Sequence, residues 1–217
     1  MLRTGKIRGN RQIWTIAAFL PLIAAGALQA QNPPPPPGAM APASKDPNAA
    51  PAGSYKIDLL HSSVVARVPH RGMSFNVGRF GVRQAALQWD PAKPSAISLD
   101  VTVETKPFSA PIVYAMPIEG PPFLNVAKFP DARFVSTAIH QSGDGKAVIE
   151  GQLTLMGVTR PAVINAELVG AGRSMEGVPT VGFTGVMMDT WSEFTDAPLA
   201  RMVGKIPVIL DAEFQKI

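Results

Sequence analysis

The chain has 217 residues, of which 46% are hydrophobic and 17% charged, and its formal net charge at pH 7 is +4. Four of its 20 Lys and Arg residues precede residue 31, whereas all 16 Asp and Glu residues follow it, so the chain after residue 30 is neutral overall. A chain without net charge offers no excess of positive charge for nucleic acid, and we expect no nucleic-acid partner. Because the chain has no cysteine, disulfides and a lipidated cysteine are excluded.

The first 30 residues have the pattern of a secretory signal peptide. Four basic residues between positions 3 and 11 precede an uncharged apolar stretch over residues 13 to 27. That stretch is shorter than the roughly 20 residues that cross a bilayer as a helix, although a membrane anchor is the alternative interpretation. We predict cleavage after Ala27 or Ala30 and a periplasmic or secreted mature protein.

Residues 31 to 53 are rich in proline, alanine, glycine and serine and have few large apolar side chains. Such a segment buries too little surface to offset its ordering entropy. We therefore predict a disordered, proline-rich linker over 31 to 53. A docking site for a proline-recognition module is the alternative.

Residues 54 to 217 alternate apolar and polar side chains with period two. The clearest example is residues 96 to 104, where Ile97, Leu99, Val101 and Val103 alternate with polar residues. This pattern predicts half-buried β-strands. We count about eight strands joined by short turns, and one or two short helical segments near 69 to 78 and 111 to 128. The order favours a single antiparallel β-barrel, because closure removes exposed edges; a β-sandwich is the alternative.

Several ordered motifs resemble those of the YceI family. They include Gly78-Arg79-Phe80, Trp89-Asp90, Tyr55-x-Ile57-Asp58-x-x-His61-Ser62-x-Val64 and Gly151-x-Leu153-Thr154-x-x-Gly157-Val158-Thr159-Arg160-Pro161. The resemblance covers residues 54 to 217. It implies a lipocalin-like barrel in an exported bacterial protein that binds long isoprenoid chains.

The expected function is therefore binding of a long apolar ligand, such as a polyisoprenoid, a quinone-like molecule or another lipid, without chemical transformation. We expect no cofactor, no bound metal and at most transient membrane contact; the oligomeric state is not predicted. The apolar lining is predicted to comprise Val64, Val68, Phe75, Phe80, Leu99, Val101, Phe123, Phe134, Leu153, Leu155, Phe183 and Leu210. Three residues are predicted to form a polar rim for a head group, namely His61, His70 and Arg160.

Two other functions remain open from the residues alone. His61, with Ser62 and Asp58 nearby, could act as the general base of a small-molecule hydrolase or isomerase. However, the chain has no Gly-x-Ser-x-Gly elbow, and adjacent residues of a strand point to opposite faces. His61 and His70 with Asp58 could hold a metal, but their spacing is not that of a dedicated zinc site. The third class is an interaction protein with a filled barrel.

Overall fold

The computed structural model of the protein describes residues 42–111, 118–121, 123–143 and 145–217. The predicted signal peptide lies outside them. Eight strands follow one another in the described part, namely β1 (Gly53–His70), β2 (Ser74–Trp89), β3 (Ser98–Ser109), β4 (Asp131–Gly143), β5 (Lys146–Leu155), β6 (Val158–Arg173), β7 (Pro179–Thr190) and β8 (Lys205–Lys216). Each strand pairs antiparallel with the next, and β8 pairs with β1, so the sheet closes into a barrel. The predicted all-β, lipocalin-like barrel is confirmed, and the sandwich is wrong.

Helical structure is short and sits in the connections. One α-helix, α1 (Pro198–Val203), precedes β8, and single 3-10 turns lie at Pro47–Ala49, Pro94–Ala96 and Trp191–Glu193. The helical turn predicted over residues 69 to 78 is wrong, because this segment is a β1–β2 hairpin. Of the second predicted segment, residues 118 and 119 are helical, and 112–117 and 122 lie outside the described residues. Within the described part of the chain, no helix is long and apolar enough to cross a bilayer.

The barrel has two ends that differ in their connections. We call the end where β1 begins and β8 finishes the lower end; it carries the β2–β3, β4–β5 and β6–β7 connections. The upper end carries the β1–β2, β3–β4, β5–β6 and β7–β8 connections, including α1. The β5–β6 turn has two residues, with Leu155 paired to Val158 across Met156 and Gly157. Both turn residues have positive φ, as a two-residue hairpin loop of this twist requires.

Two hydrophobic clusters lie at different heights of the barrel. The lower cluster is built on buried Tyr55, Leu87, Trp89, Val181 and Phe214. The upper cluster consists of Phe134, Leu153, Ile164, Met187 and Phe194. Phe194 comes from the β7–β8 connection and enters the core from above. The upper half is therefore packed with side chains.

Gly151 shows why the upper half is filled despite a small inward residue. A Cβ atom added at Gly151 would lie 2.4 Å from Cζ of Phe134 and 2.5 Å from the carbonyl oxygen of Val135. The missing side chain at this position is thus the space that the Phe134 ring occupies. A small residue in phase with large ones does not by itself indicate a hollow.

The segment from Ser44 to Pro51, which we call the strap, corrects the last part of the linker prediction. Ser44 exchanges two 2.8 Å backbone hydrogen bonds with Ala171 on β6. Ala50 is fully buried, and its carbonyl oxygen accepts a hydrogen bond from Nε1 of Trp89 at 3.3 Å. The Tyr55 hydroxyl donates to the carbonyl oxygen of Pro51 at 2.5 Å. The strap therefore packs on the lower end of the barrel, because buried aromatic donors of the core need its carbonyl groups as acceptors.

Candidate ligand-binding cavity

A cavity of about 790 Å³ occupies the lower half of the barrel. It lies within the range of roughly 300–1,000 Å³ that is typical of small-molecule sites. All eight strands contribute inward side chains to it. The apolar lining residues are Ile57, Val64, Val82, Leu87, Trp89, Ile97, Leu99, Val101, Ile139, Ala147, Ile149, Ile164, Ala166, Leu168, Phe183, Leu210, Ala212 and Phe214.

Three aromatic rings form one wall of this cavity. The ring of Phe183 meets that of Trp89 edge-on, with centroids 5.5 Å apart, and that of Phe214 at 6.4 Å. Such edge-to-face pairs hold each other in fixed orientations. Trp89 is fixed further through the bond of its Nε1 to the strap. The wall is therefore preorganised and apolar.

Small residues on β5, β6 and β7 also line the cavity. Ala147 and Ala166 are cross-strand partners, and both belong to the lining. Since each carries only a methyl group, these two positions narrow the cavity less than a larger side chain would. Gly185, the partner of Ala166 on β7, leaves no such room, because a Cβ atom added there would lie 2.9 Å from Cγ2 of Ile164.

Polar groups gather where the cavity reaches the lower end. Gln141 and Lys146 flank the β4–β5 turn, and Lys45 of the strap and Glu167 of β6 complete this set, which we call the polar mouth. The Nζ atom of Lys45 donates to the carbonyl oxygen of Leu168 at 2.9 Å and lies 3.7 Å from a carboxylate oxygen of Glu167. A guest with an apolar tail could keep a polar head group in water at this mouth.

The predicted apolar lining is divided between the cavity and other places. Five of the predicted residues line the cavity, namely Val64, Leu99, Val101, Phe183 and Leu210. Phe134 and Leu153 belong instead to the upper cluster, and Leu155 packs against it. Val68 and Phe80 also lie outside the cavity lining, on the parts of β1 and β2 that lead toward the upper end. Their inward phase places them in the barrel, but too high to reach the cavity.

Two further predicted lining residues, Phe75 and Phe123, lie outside the barrel interior altogether. Phe75 is 45% exposed and lies under the guanidinium group of Arg67, on the outer side of the β1–β2 hairpin. Phe123 stacks on Trp191 in the connections of the upper end, with ring centroids 5.1 Å apart. Both residues follow turns, where the alternation of a strand no longer fixes the direction of a side chain.

The predicted polar rim of His61, His70 and Arg160 is corrected in the same way. None of these three residues lines the cavity in the lower half. His70 ends β1 at the upper end. Arg160 lines a second, polar cavity of about 390 Å³ with Glu193 and Asp196 under the β7–β8 connection. The polar residues that line the main cavity are those of the polar mouth together with Ser63, Thr184 and Asp211.

His61 belongs to a bulge of β1 around Asp58. The register of β1 shifts between Lys56 and Val64 against β2 and between Asp58 and Ser63 against β8, so extra residues leave the barrel wall, and Leu60 is 90% exposed. One oxygen of Asp58 accepts from the backbone N–H groups of Leu60 and His61. The other lies 2.9 Å from Nδ1 of His61 and accepts from Nε2 of Gln215 at 3.0 Å. The carboxylate thus holds the bulge closed.

The hydrogen bond between these side chains shifts both pKa values. The pKa of Asp58 is lowered, chiefly by the His61 side chain, and the pKa of His61 is raised, chiefly by the Asp58 side chain. Glu213 lies close enough that ligand atoms of the three residues are within 4.8 Å of one another. His70 is not part of this group, so the structure does not assemble the metal set considered from the sequence.

Comparison with known proteins places this barrel in a family. The model of the YceI-like domain matches residues 55–214, which is most of the chain. The chain belongs to the YceI family. A UPF0312 protein of Shewanella sp. strain W3-18-1 is 40% identical over 153 residues, covering 68% of this chain and 79% of that protein. UPF0312 proteins of Shewanella baltica and Shewanella oneidensis have similar identities, of 40% and 41%.

Solved structures share the fold of this YceI-family chain at low sequence identity. BcnA from Burkholderia cenocepacia matches with a TM-score of 0.62 and 22% identity, covering 72% of this chain and 98% of that one. A YceI protein from Campylobacter jejuni gives 0.53 and 21%, covering 70% and 84%. A polyisoprenoid-binding domain from Saccharophagus degradans gives 0.52 and 13%, covering 75% and 98%. At these identities the likeness concerns the barrel alone.

The sequence prediction missed the strap and part of the aromatic wall. Trp89 ends β2, and Phe214 lies near the end of β8; both are in phase with residues that were predicted to face inward, so their alternation was a usable signal. Lys45 lies in a proline-rich segment with no alternation. No local pattern indicates that Lys45 reaches the cavity, because its position depends on a pairing with β6 far along the chain.

Proposed function

We propose that this YceI-family protein is an exported binding protein that holds a long apolar molecule in its barrel without transforming it chemically. The single observation that carries this proposal is the apolar cavity of about 790 Å³ in the lower half of the barrel. Burial at roughly 25 cal/mol per Å² makes a few hundred Å² of covered lipid surface worth several kcal/mol before the losses of association. The ligand class we favour is a polyisoprenoid or a quinone-like lipid.

The cavity also limits how the ligand would bind. Because the upper half of the barrel is packed, only part of a long chain can be enclosed. The rest would leave through the polar mouth, together with the head group. The polyisoprenoid-binding domain of Saccharophagus degradans has the same barrel, which supports this ligand class as a proposal.

A catalytic alternative finds no support at the cavity. His61 lies outside the cavity lining, and its ring is engaged by Asp58. The Ser62 hydroxyl accepts a hydrogen bond from the backbone N–H of Glu213 at 3.1 Å, which is a structural contact between β1 and β8. We therefore retain binding as the proposed function. Export to the periplasm remains part of this proposal, and it rests on the N-terminal sequence pattern.

The test uses a variant that fills the cavity without burying a charge. Ala166→Phe adds a ring to a position that lines the cavity. We expect this variant to fold and to lose most uptake of an added long-chain polyprenol, because the ring occupies the space of the guest. Gln152→Phe is the matched control, since Gln152 is an exposed residue of the neighbouring strand β5.

Two measurements decide the outcome. Lipid extracted from the gently purified mature protein is identified by mass spectrometry, and uptake of the polyprenol is titrated for the native protein and both variants. Circular dichroism must show the same sheet signal in all three. The carrier proposal is contradicted if the native protein neither retains a lipid nor takes up polyprenol, or if both variants bind as the native protein does.

A further inference from the structure

The outer surface of the barrel carries an apolar face that the cavity does not explain. We call it the outer face and define it by Val65, Phe75, Val77, Phe108, Val186 and Ile209. Phe108 is 62% exposed, and Phe75, Val77 and Val186 are exposed as well. Val65 and Ile209 alternate with residues that line or pack into the interior, namely Val64, Val208 and Leu210, and therefore point outward.

Strand pairing makes these residues one continuous patch. Ile209 on β8 is the cross-strand partner of both Val186 on β7 and Val65 on β1. On the next pair of strands, Val65 faces Arg79, and Arg67 faces Val77. Cross-strand partners are neighbours on one side of a sheet, so the patch extends across β7, β8, β1 and β2.

Among the described residues, the charged groups between these side chains are arginines stacked on the aromatic rings, and Asp211 follows at the edge of the patch as the next outward residue of β8 after Ile209. The guanidinium carbon of Arg67 lies 4.3 Å from the centroid of the Phe75 ring, and that of Arg79 lies 5.2 Å from the centroid of Phe108. The sequence from residue 59 to residue 82 contains three arginines and two histidines but no acidic residue. The β1–β2 hairpin is therefore a cationic and apolar element within a chain that is neutral after residue 30.

The neighbouring outer surface of β2, β3 and β4 differs in character. There, Arg133 pairs with Asp100, and Arg83 pairs with Asp131 at 2.8 Å and with Glu104 at 3.4 Å. These ion pairs join β2, β3 and β4 in solvent. Arg67 and Arg79, by contrast, form no ion pair with a described residue and contact aromatic rings instead. This difference points to a partner that contacts the outer face.

We propose that the outer face docks on the surface of an anionic phospholipid bilayer. Apolar and aromatic side chains would enter the interfacial region, and Arg67 and Arg79 would meet the phosphate groups of the lipids. A symmetric dimer through the same face is disfavoured, because it would bring the arginines of two copies together with no acid on either hairpin to pair with them. The proposal goes beyond ligand carriage and does not depend on what the cavity holds.

The experiment measures binding of the full mature chain to vesicles by flotation. We expect binding to vesicles of phosphatidylglycerol and phosphatidylcholine, weaker binding to phosphatidylcholine alone, and a decrease with added salt. The double variant Phe75→Ser, Phe108→Ser should bind roughly tenfold less or weaker still, since each lost aromatic contact removes apolar burial. The double variant Arg67→Gln, Arg79→Gln should lose the preference for anionic vesicles and most of the salt dependence.

The matched control is Arg83→Gln, Arg133→Gln, which removes the same charge from the ion-paired surface of β2, β3 and β4 and should bind vesicles as the native protein does. Equal loss in this control would overturn the proposal, because net charge rather than the outer face would then govern binding. Equal binding of the native protein to both kinds of vesicle, or binding to neither, would also overturn it. If the aromatic substitutions instead abolish a dimer in solution or a complex with an acidic protein, the face is a protein interface and the membrane proposal is wrong.

Folding and cavity function are followed separately. All variants should keep the sheet signal in circular dichroism and the polyprenol uptake of the native chain, because the substituted residues lie outside the cavity lining. The cavity-filling variant Ala166→Phe should still bind anionic vesicles. Failure of polyprenol binding with intact vesicle binding would therefore contradict the carrier proposal and leave the docking proposal standing.

Discussion

At the scale of single residues, Asp58 has a structural role in the bulge of β1, although the sequence also allowed it a place beside a catalytic His61. Its two carboxylate oxygens accept from two backbone N–H groups of the bulge and from the Gln215 side chain of β8, and one of them contacts the His61 ring. A carboxylate with this many partners organises backbone that would otherwise lack hydrogen bonds. The Asp-x-x-His spacing is therefore explained by a turn within a strand.

Replacing Asp58 should test this structural role. Asp58→Ala removes every acceptor, and we expect it to lower the free energy of unfolding by about 1–2 kcal/mol. Asp58→Asn keeps one oxygen acceptor for the backbone groups and should lose less. Urea titration of the mature protein measures both. If both variants were as stable as the native protein, the bulge would not depend on these hydrogen bonds.

The Asp58–His61 pair also gives the bulge a pH window. The lowered pKa of Asp58 means that its contribution to stability is present above the ordinary aspartate pKa and is lost as the pH falls through the lowered value. The raised pKa of His61 means that its contribution is present below the ordinary histidine pKa and is lost as the pH rises through the raised value. Protection of the Leu60 and His61 amides against hydrogen exchange, relative to their exchange in the unfolded chain at the same pH, should be highest between these limits, and His61→Ala should remove the upper limit.

The carboxyl group of Asp189 should make stability depend on pH in the opposite sense to that of Asp58. Burial raises the pKa of this carboxyl group, and the nearby charge of Glu193 adds to the effect. An acid whose pKa is raised in the folded state destabilises the fold as the pH increases from the ordinary aspartate pKa through the raised value. Asp189→Asn keeps an acceptor for the backbone N–H of Thr190, which donates to Asp189 at 2.8 Å.

The Asn variant should therefore match the native protein near about pH 3 and exceed it in stability near neutral pH. Urea titrations at several pH values measure the difference. Leu153→Ala serves as a reference, because its loss comes from packing and should not vary with pH. A stability difference for Asp189→Asn that is the same at all pH values would show that the carboxyl group is not titrating in this range.

At the scale of elements, the strap is held by a few well-defined contacts. Its backbone pairs with β6 through Ser44, and its carbonyl groups satisfy Trp89 and Tyr55. The barrel itself closes through β8 and β1 without the strap. We therefore expect the strap to open while the barrel remains folded, which would separate access to the cavity from global unfolding.

Deleting residues 42 to 50 from the mature chain should test this separation. We expect the sheet signal to persist, bound polyprenol to dissociate faster, and Trp89 to become more accessible to a quencher. Trp191→Phe in the same background removes the second tryptophan of the barrel, so that quenching reports Trp89 alone. Unchanged dissociation and quenching would indicate that the strap does not cover the route to the cavity.

At the scale of the whole molecule, the sequence predicts the wall of the barrel better than its interior. Strands such as β3 have a strict period of two, and this local signal fixes which side chains point inward. The height at which the interior becomes hollow depends on distant residues, such as Phe194 and Phe134, that meet only in the fold. For that reason Leu99 lines the cavity whereas Leu153 lies in the packed upper cluster, although the alternation places both on the inward side.

The outer face could not be predicted from the sequence, for a related reason. Val64 and Val65, and likewise Val208 and Ile209, are adjacent apolar pairs, so alternation alone does not tell which member is inside. The strap was missed because its composition is that of a linker. Both features depend on contacts that are distant along the chain.

Closure of β8 onto β1 has a consequence for how the chain folds. The hydrogen bond between Gln215 and Asp58 joins residues 157 positions apart, and the strands around it form the seam of the barrel. Such distant pairings make folding slow, typically in milliseconds to seconds. Until the last 12-residue strand is available, β1 and β7 are open edges that can pair with other chains. We therefore expect that the barrel does not close until its C-terminal strand is available, and such a delay is compatible with the proposed export.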